Sequence, residues 1–159
     1  MDNNILIIGI GNEYRSDDRI GLFIADKIHE KNQPGVTVEK ASGEGTALMD
    51  LWKEKSCVII IDAVSSNSSP GKVHRFNAHE ESIPSKTFQC STHNLSLVEA
   101  IELSRSLNSL PKKLIIFGIE GKDFSHGENI SSEIKKLLDN IIKKIENEIE
   151  SLQKEKTNA

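Results

Sequence analysis

Three acidic residues and one histidine stand where an α/β chain could use them for chemistry. Asp17 and Asp18 lie in a polar segment after the apolar run 5–8, and Asp62 directly follows a second run, 58–61. His93 sits in Ser91-Thr92-His93-Asn94, ahead of a helical pattern. An acid at the end of a buried run is costly unless something pairs with it. Two carboxylates and an imidazole, delivered by separate strand ends, suit an open site for a divalent transition metal: Asp18, Asp62 and His93. A carboxylate there could also act as general base on water, with the metal polarising a carbonyl. Asp17, Asp18 and Asp62 are all candidates for that base. Bland readings stand beside these: Asp17 or Ser16 as cap of a helix beginning near residue 18, and His93 as a helix-start or surface residue. His29, His74, His79 and His126 read as packing or surface residues, with His126 in a glycine-flanked loop near the expected mouth.

Other catalytic patterns are missing. There is no Gly-x-Ser-x-Gly elbow and no His-Glu-x-x-His helix. Gly9-x-Gly11 invites a dinucleotide reading, but Tyr14 occupies the third glycine position. Asp17 and Asp18 would also repel a pyrophosphate at the helix start. The glycines are expected instead to let the backbone turn sharply and approach a bound peptide or partner. Two cysteines, Cys57 and Cys90, are too few for a disulfide framework and read as inert.

The elements that must position these residues follow from hydropathy. Apolar runs at 5–8, 58–61 and 114–117 are continuous, as in strands covered on both faces. Residues 36–39 and 72–76 alternate. Helical stripes fall over roughly 18–30, 46–52 and 94–107. The longest runs from Ile134 to Leu152, with Ser131-Ser132-Glu133 as its expected cap. This order implies a three-layer α/β/α fold with a five-stranded, mostly parallel, twisted sheet. The run at 72–76 begins only about ten residues after the preceding strand, too close for a parallel crossover, and is therefore expected to be antiparallel. Residues 1–153 form a single domain in this reading, and 154–159 a frayed tail. Ligands in such sheets bind beyond the carboxyl ends of the strands, where Ser42 to Thr46, Gly118, Glu120 and Gly121 also collect.

The chain has 159 residues, 28% charged and 36% hydrophobic, with a net charge of −4. Interspersed signs argue against a nucleic-acid partner, and no stretch approaches the roughly 20 apolar residues of a membrane span. The start lacks the basic region of a secretory leader. The expected location is cytoplasmic.

At these residues the sequence resembles the hydrogenase maturation protease family. The resemblance is carried by Gly9-x-Gly11-Asn12 with Asp17-Asp18-x-x-Gly21, by Asp62-Ala63 closing an apolar strand, and by Ser91-Thr92-His93. Gly43 to Thr46, Pro70-Gly71 and Gly118-Ile119-Glu120 support it. The resemblance implies an aspartic-type endopeptidase that removes a C-terminal extension from the large-subunit precursor of a nickel–iron hydrogenase after nickel insertion. Asp18, Asp62 and His93 then correspond to the residues that contact the nickel, which arrives with the substrate. Another divalent metal at the same place is the alternative. The loop Gly43, Glu44, Gly45 and Thr46 is expected to help recognise the substrate; it departs from the Asp-Gly-Gly-Thr type of several relatives. Arg19 stands where glycine is common. Three rival readings are a stand-alone metallopeptidase, a non-catalytic metal-sensing chaperone of the precursor, and a small-molecule hydrolase or phosphorylase.

Overall fold

The computed structural model describes residues 4–88 and 94–157. Strand β1 (Ile5–Ile10) lies in parallel between β2 (Val36–Ala41) and β3 (Cys57–Val64). β3 pairs in parallel with β5 (Lys113–Glu120), and β4 (Val73–Asn77) closes that edge antiparallel to β5. The order is β2-β1-β3-β5-β4, the mostly parallel five-stranded sheet expected from the runs.

Alternation along the central strands divides the core between two faces. Ile5, Ile7, Ile59, Ile61, Ile115 and Phe117 pack under α1 (Ile20–Glu30), α4 (Ser132–Lys135) and α5 (Leu138–Thr157). Leu6, Ile8, Val58, Ile60, Leu114 and Ile116 pack under α2 (Gly45–Trp52) and α3 (Leu97–Ser106). The buried Trp52 indole donates to Ser104 Oγ at 3.3 Å, fixing α2 on α3.

Three expectations need correction. The central strands run further than their apolar centres, because pairing continues through Asp62↔Gly118 and Val64↔Glu120. Asp62, Gly118 and Glu120 are therefore strand residues, not loop residues beyond the ends. The stripe from residue 134 is broken into α4 and α5, and Ser131 makes no side-chain cap, because its hydroxyl is taken by Asp17. Finally, residues 154–157 are not a frayed tail. The last turn is held by Lys154–Glu150 and Lys113–Glu155 ion pairs and by Lys156 donating to the Asn4 carbonyl.

Gly9 and Gly21 let α1 approach the sheet closely, while Gly11 lines a cleft at the carboxyl end of the sheet. A Cβ at Gly9 would meet Ala25 Cβ at 2.5 Å, and one at Gly21 would meet the Ile61 carbonyl oxygen at 2.5 Å and overlap that of Ile10. Helix α1 can thus sit directly on β1 and β3, which aims its preceding turn across the sheet end. Gly21→Ala should destabilise the fold by about 1–3 kcal/mol through overpacking against backbone. Urea unfolding checks this, and an unchanged midpoint would contradict the close-approach argument.

Candidate functional site

The segment between β1 and α1 carries the acids on a 3-10 turn (Ser16–Arg19). It is tied to the 121–131 loop by Ser16 N donating to Gly127 O at 2.9 Å and Asp17 N donating to Asp123 O at 2.9 Å. Asp17 is fully buried. Its carboxylate accepts from the backbone N–H groups of Lys122 and Asp123, both at 2.8 Å, and of Ser131 at 2.6 Å. Ser131 Oγ donates to it as well, at 2.7 Å. Neither the turn nor α1 receives a side-chain cap, so Asp17 is a cross-loop clamp and not the cap that its position suggested. With four donors already on its oxygens, it is poorly placed to take a proton from water.

The clamp leaves Asp18 turned to a small cleft at the carboxyl end of the sheet. Ile10, Gly11, Asp18, Ser42, Gly43, Asp62, Phe88 and Leu97 line it, and its volume is about 30 Å³. That is room for one or two water-sized particles and not for a peptide. Asp18 and Asp62, from separate elements, are the two carboxylates of this lining. Burial raises the Asp18 pKa from its ordinary 3.8 to about 6, opposed by a hydrogen bond from the Asn12 backbone and by the charge of Arg15. The Asp62 pKa is pushed well above the ordinary range, first by burial and then by the charge of Asp18. The charge of Asp18 therefore opposes ionisation of Asp62, a tension that a cation between them would relieve.

The sign of the resulting pH dependence follows from these directions. A carboxyl whose folded pKa is raised adds stability that is complete below its unfolded value and disappears as pH rises through the folded value. For Asp18 the window is 3.8 to about 6. Asp18→Asn should flatten the loss of stability of the wild type across that window. Urea unfolding at a series of pH values tests this, and parallel curves for the two proteins would contradict it.

Of the recognition loop, only Gly43, in the left-handed region at φ 97°, lines the cleft. Glu44 caps α2, accepting from Thr46 N and Ala47 N, both at 3.0 Å. Gly45 packs beneath Leu95, where a Cβ would meet Leu95 Cγ at 2.6 Å. The residues Glu44, Gly45 and Thr46 thus build the helix start beside the cleft. His93 and Cys90 lie outside the described residues, and among those described no group of three or more His, Cys, Asp and Glu forms a metal centre. Cys57 is buried and unpaired. His74 and Glu120 belong to a separate closed network: Glu120 Oε1 accepts from Ser66 Oγ at 2.5 Å and lies 3.1 Å from His74 Nε2. His79 lies 2.7 Å from the Pro111 carbonyl oxygen, and His126 is exposed.

Sequence reasoning did not single out Arg15. Its backbone bridges to Gly127, and its Nε is buried with no hydrogen-bond partner. Among the described residues it forms no ion pair, yet its charge reaches Asp18. Phe88 and Leu97 were also missed as cleft walls, because neither carries a chemical signal in the sequence.

This arrangement of sheet and helices is that of solved hydrogenase maturation endopeptidases. The solved structure of the hydrogenase maturating endopeptidase HybD from Escherichia coli superposes with a TM-score of 0.75 at 21% identity, covering 89% of both chains. The [NiFe] hydrogenase maturation protease HybD from Thermococcus kodakarensis superposes at 0.65 and 22% identity, covering 91% of this chain and 97% of that one. The family model described as HycI, hydrogenase maturation protease, matches residues 22–148. The hydrogenase 2 maturation protease of Escherichia coli K12 is 32% identical over 120 residues, 72% of this chain and 71% of its own. The hydrogenase expression/formation protein HupD of Bradyrhizobium diazoefficiens is 26% identical over 125 residues, and the match covers 77% of this chain and 65% of HupD. The chain belongs to the hydrogenase maturation protease family, a family of peptide-bond hydrolases.

Proposed function

We propose that the protein is the endopeptidase that removes the C-terminal extension of a nickel–iron hydrogenase large-subunit precursor once nickel has been inserted. The observation that carries this reading is the Asp18–Asp62 pair, in which the Asp18 charge hinders ionisation of Asp62, in a cleft with room for one or two water-sized particles and no peptide. A precursor lying across the mouth can present its nickel to this pair. The cation restores both carboxylates to the charged form, whereas an empty precursor leaves the repulsion in place. Binding then depends on metal insertion through a difference in affinity. His93 is the third nickel contact in this reading, on the strength of its Ser-Thr-His motif.

Cleavage needs water activation and a place for negative charge. A carboxylate of the cleft accepts a proton from water while the oxygen attacks the scissile carbonyl. Asp18, with a pKa of about 6, is in the range such a base requires. The electron pair displaced onto the carbonyl oxygen is stabilised by the nickel and by the positive charge of Arg15, whose Nε has no hydrogen-bond partner among the described residues. Collapse of this intermediate returns the proton to the leaving amine. The reading places the protein in the cytoplasm, where the precursor is folded; among the described residues no helix is long and apolar enough to cross a membrane. Mass spectrometry of the precursor before and after incubation tests the assignment. Loss of one C-terminal fragment is expected, and a precursor that is bound but never shortened would favour the chaperone reading.

A further inference from the structure

A second concavity opens beside the β4 edge of the sheet, between residues 69–73 and α5, with a volume of about 690 Å³. Its apolar wall includes Val73, Ile141 and Leu137, and Leu137 is 39% exposed. Its charged residues are Lys72, Lys143 and Lys144, with no Asp or Glu in the lining. This is unusual in a chain of net charge −4. Elsewhere on the surface lysines are commonly neutralised, as in Lys27–Glu30, Lys31–Glu146, Lys40–Asp26 and Lys122–Glu133. Among the described residues these three lysines form no ion pair. An apolar wall rimmed by three lysines, with the nearby carboxylates Asp139, Glu146 and Glu148 facing adjoining hollows, complements a segment that carries both acidic and apolar side chains.

The groove also has a fixed relation to the cleft. Val73 pairs with Ile119, and His74 with Gly118, whose other partner is Asp62. Asp62 and the start of β4 are thus two strand spacings apart, roughly 10 Å. The groove lies on the α5 face of the sheet and the cleft on the α2–α3 face, so a substrate segment held in the groove reaches the cleft around the carboxyl edge and not straight across the strands.

Resting on the proposed function, we infer that this groove is a docking surface for an acidic, apolar-anchored segment of the protein substrate, bound apart from the residues that are cut. The groove adds affinity for the whole precursor while leaving the chemical step alone.

The test measures the dissociation constant of the nickel-loaded precursor and the single-turnover cleavage rate at saturation. The wild type is compared with Lys72→Glu/Lys143→Glu/Lys144→Glu, and with Lys53→Glu/Lys112→Glu, a control at the opposite end of the sheet. All five positions are exposed, so folding should survive, and thermal unfolding verifies it. The groove variant should weaken binding about tenfold or more at low salt, with the difference shrinking as salt is raised. Its cleavage rate at saturation should stay within about twofold of wild type. Equal affinity of the groove variant and wild type, or an equal loss in the control, would overturn the docking inference while leaving the protease reading intact. A precursor whose binding weakens on charge reversal but which the wild type never cuts would support the groove and refute the hydrolase. A precursor that the wild type neither binds nor cuts would overturn both.

Discussion

Replacing Asp17 by alanine is expected to cost about 3–5 kcal/mol of folding stability, a large share of the roughly 5–15 kcal/mol typical of a domain. The substitution leaves the N–H groups of Lys122, Asp123 and Ser131 without their acceptor in a place closed to water. Hydrogen bonds to a charged group contribute about 1.5–3 kcal/mol each, and unmet buried donors cost a similar amount. The 121–131 loop would detach from the turn that carries Asp18, so activity should fall together with stability. Urea unfolding of Asp17→Ala gives the direct reading. A change below about 1 kcal/mol, with cleavage lost, would return Asp17 to the list of candidate bases.

Asp62→Asn should separate function from stability in the opposite sense. Cleavage of the precursor should fall by about 10²–10⁴, the usual worth of a positioned acid–base group. At neutral pH the variant should nonetheless unfold at a higher temperature than wild type. Burial and the neighbouring Asp18 both hold the Asp62 pKa up, so folding at neutral pH works against an ionised group. The amide has no such penalty. Because a raised carboxyl pKa contributes fully only below its unfolded value, the advantage of Asn should disappear in acid. Thermal unfolding at neutral and acidic pH measures this. A variant less stable than wild type at neutral pH would show that the Asp62 charge supports the fold. Such a trade between activity and stability is common where a site keeps groups in costly surroundings.

Much of the architecture was legible because it rests on strong local signals. Continuous apolar runs marked β1, β3 and β5, and the short connection before β4 identified the antiparallel edge. Element ends were less legible. Strand pairing carried β3 through a carboxylate that hydropathy alone would place outside it, and long-range contacts of Lys113 and Asn4 with α5 kept its last turn helical. The acidic pair was readable from its position at strand ends, since two separate elements each placed an acid there. What divides Asp17 from its neighbour was not readable. Their side chains are chemically alike, and only the 121–131 loop, more than 100 residues away, decides that one is consumed and the other left open. Arg15 was hidden for the same reason: the absence of a partner is a property of the folded surroundings. The Ser-Thr-His motif lies outside the described residues, and its place in the site rests on the motif.

The claim that most of this account depends on is that Asp18 and Asp62 read the presence of nickel. Purified wild-type protein should be incubated with the same large-subunit precursor in nickel-loaded and nickel-free form, and the C-terminal fragment quantified. The account predicts a fragment from the loaded precursor and none from the empty one. Equal cleavage of both forms would contradict it and leave the two carboxylates to an ordinary peptidase site.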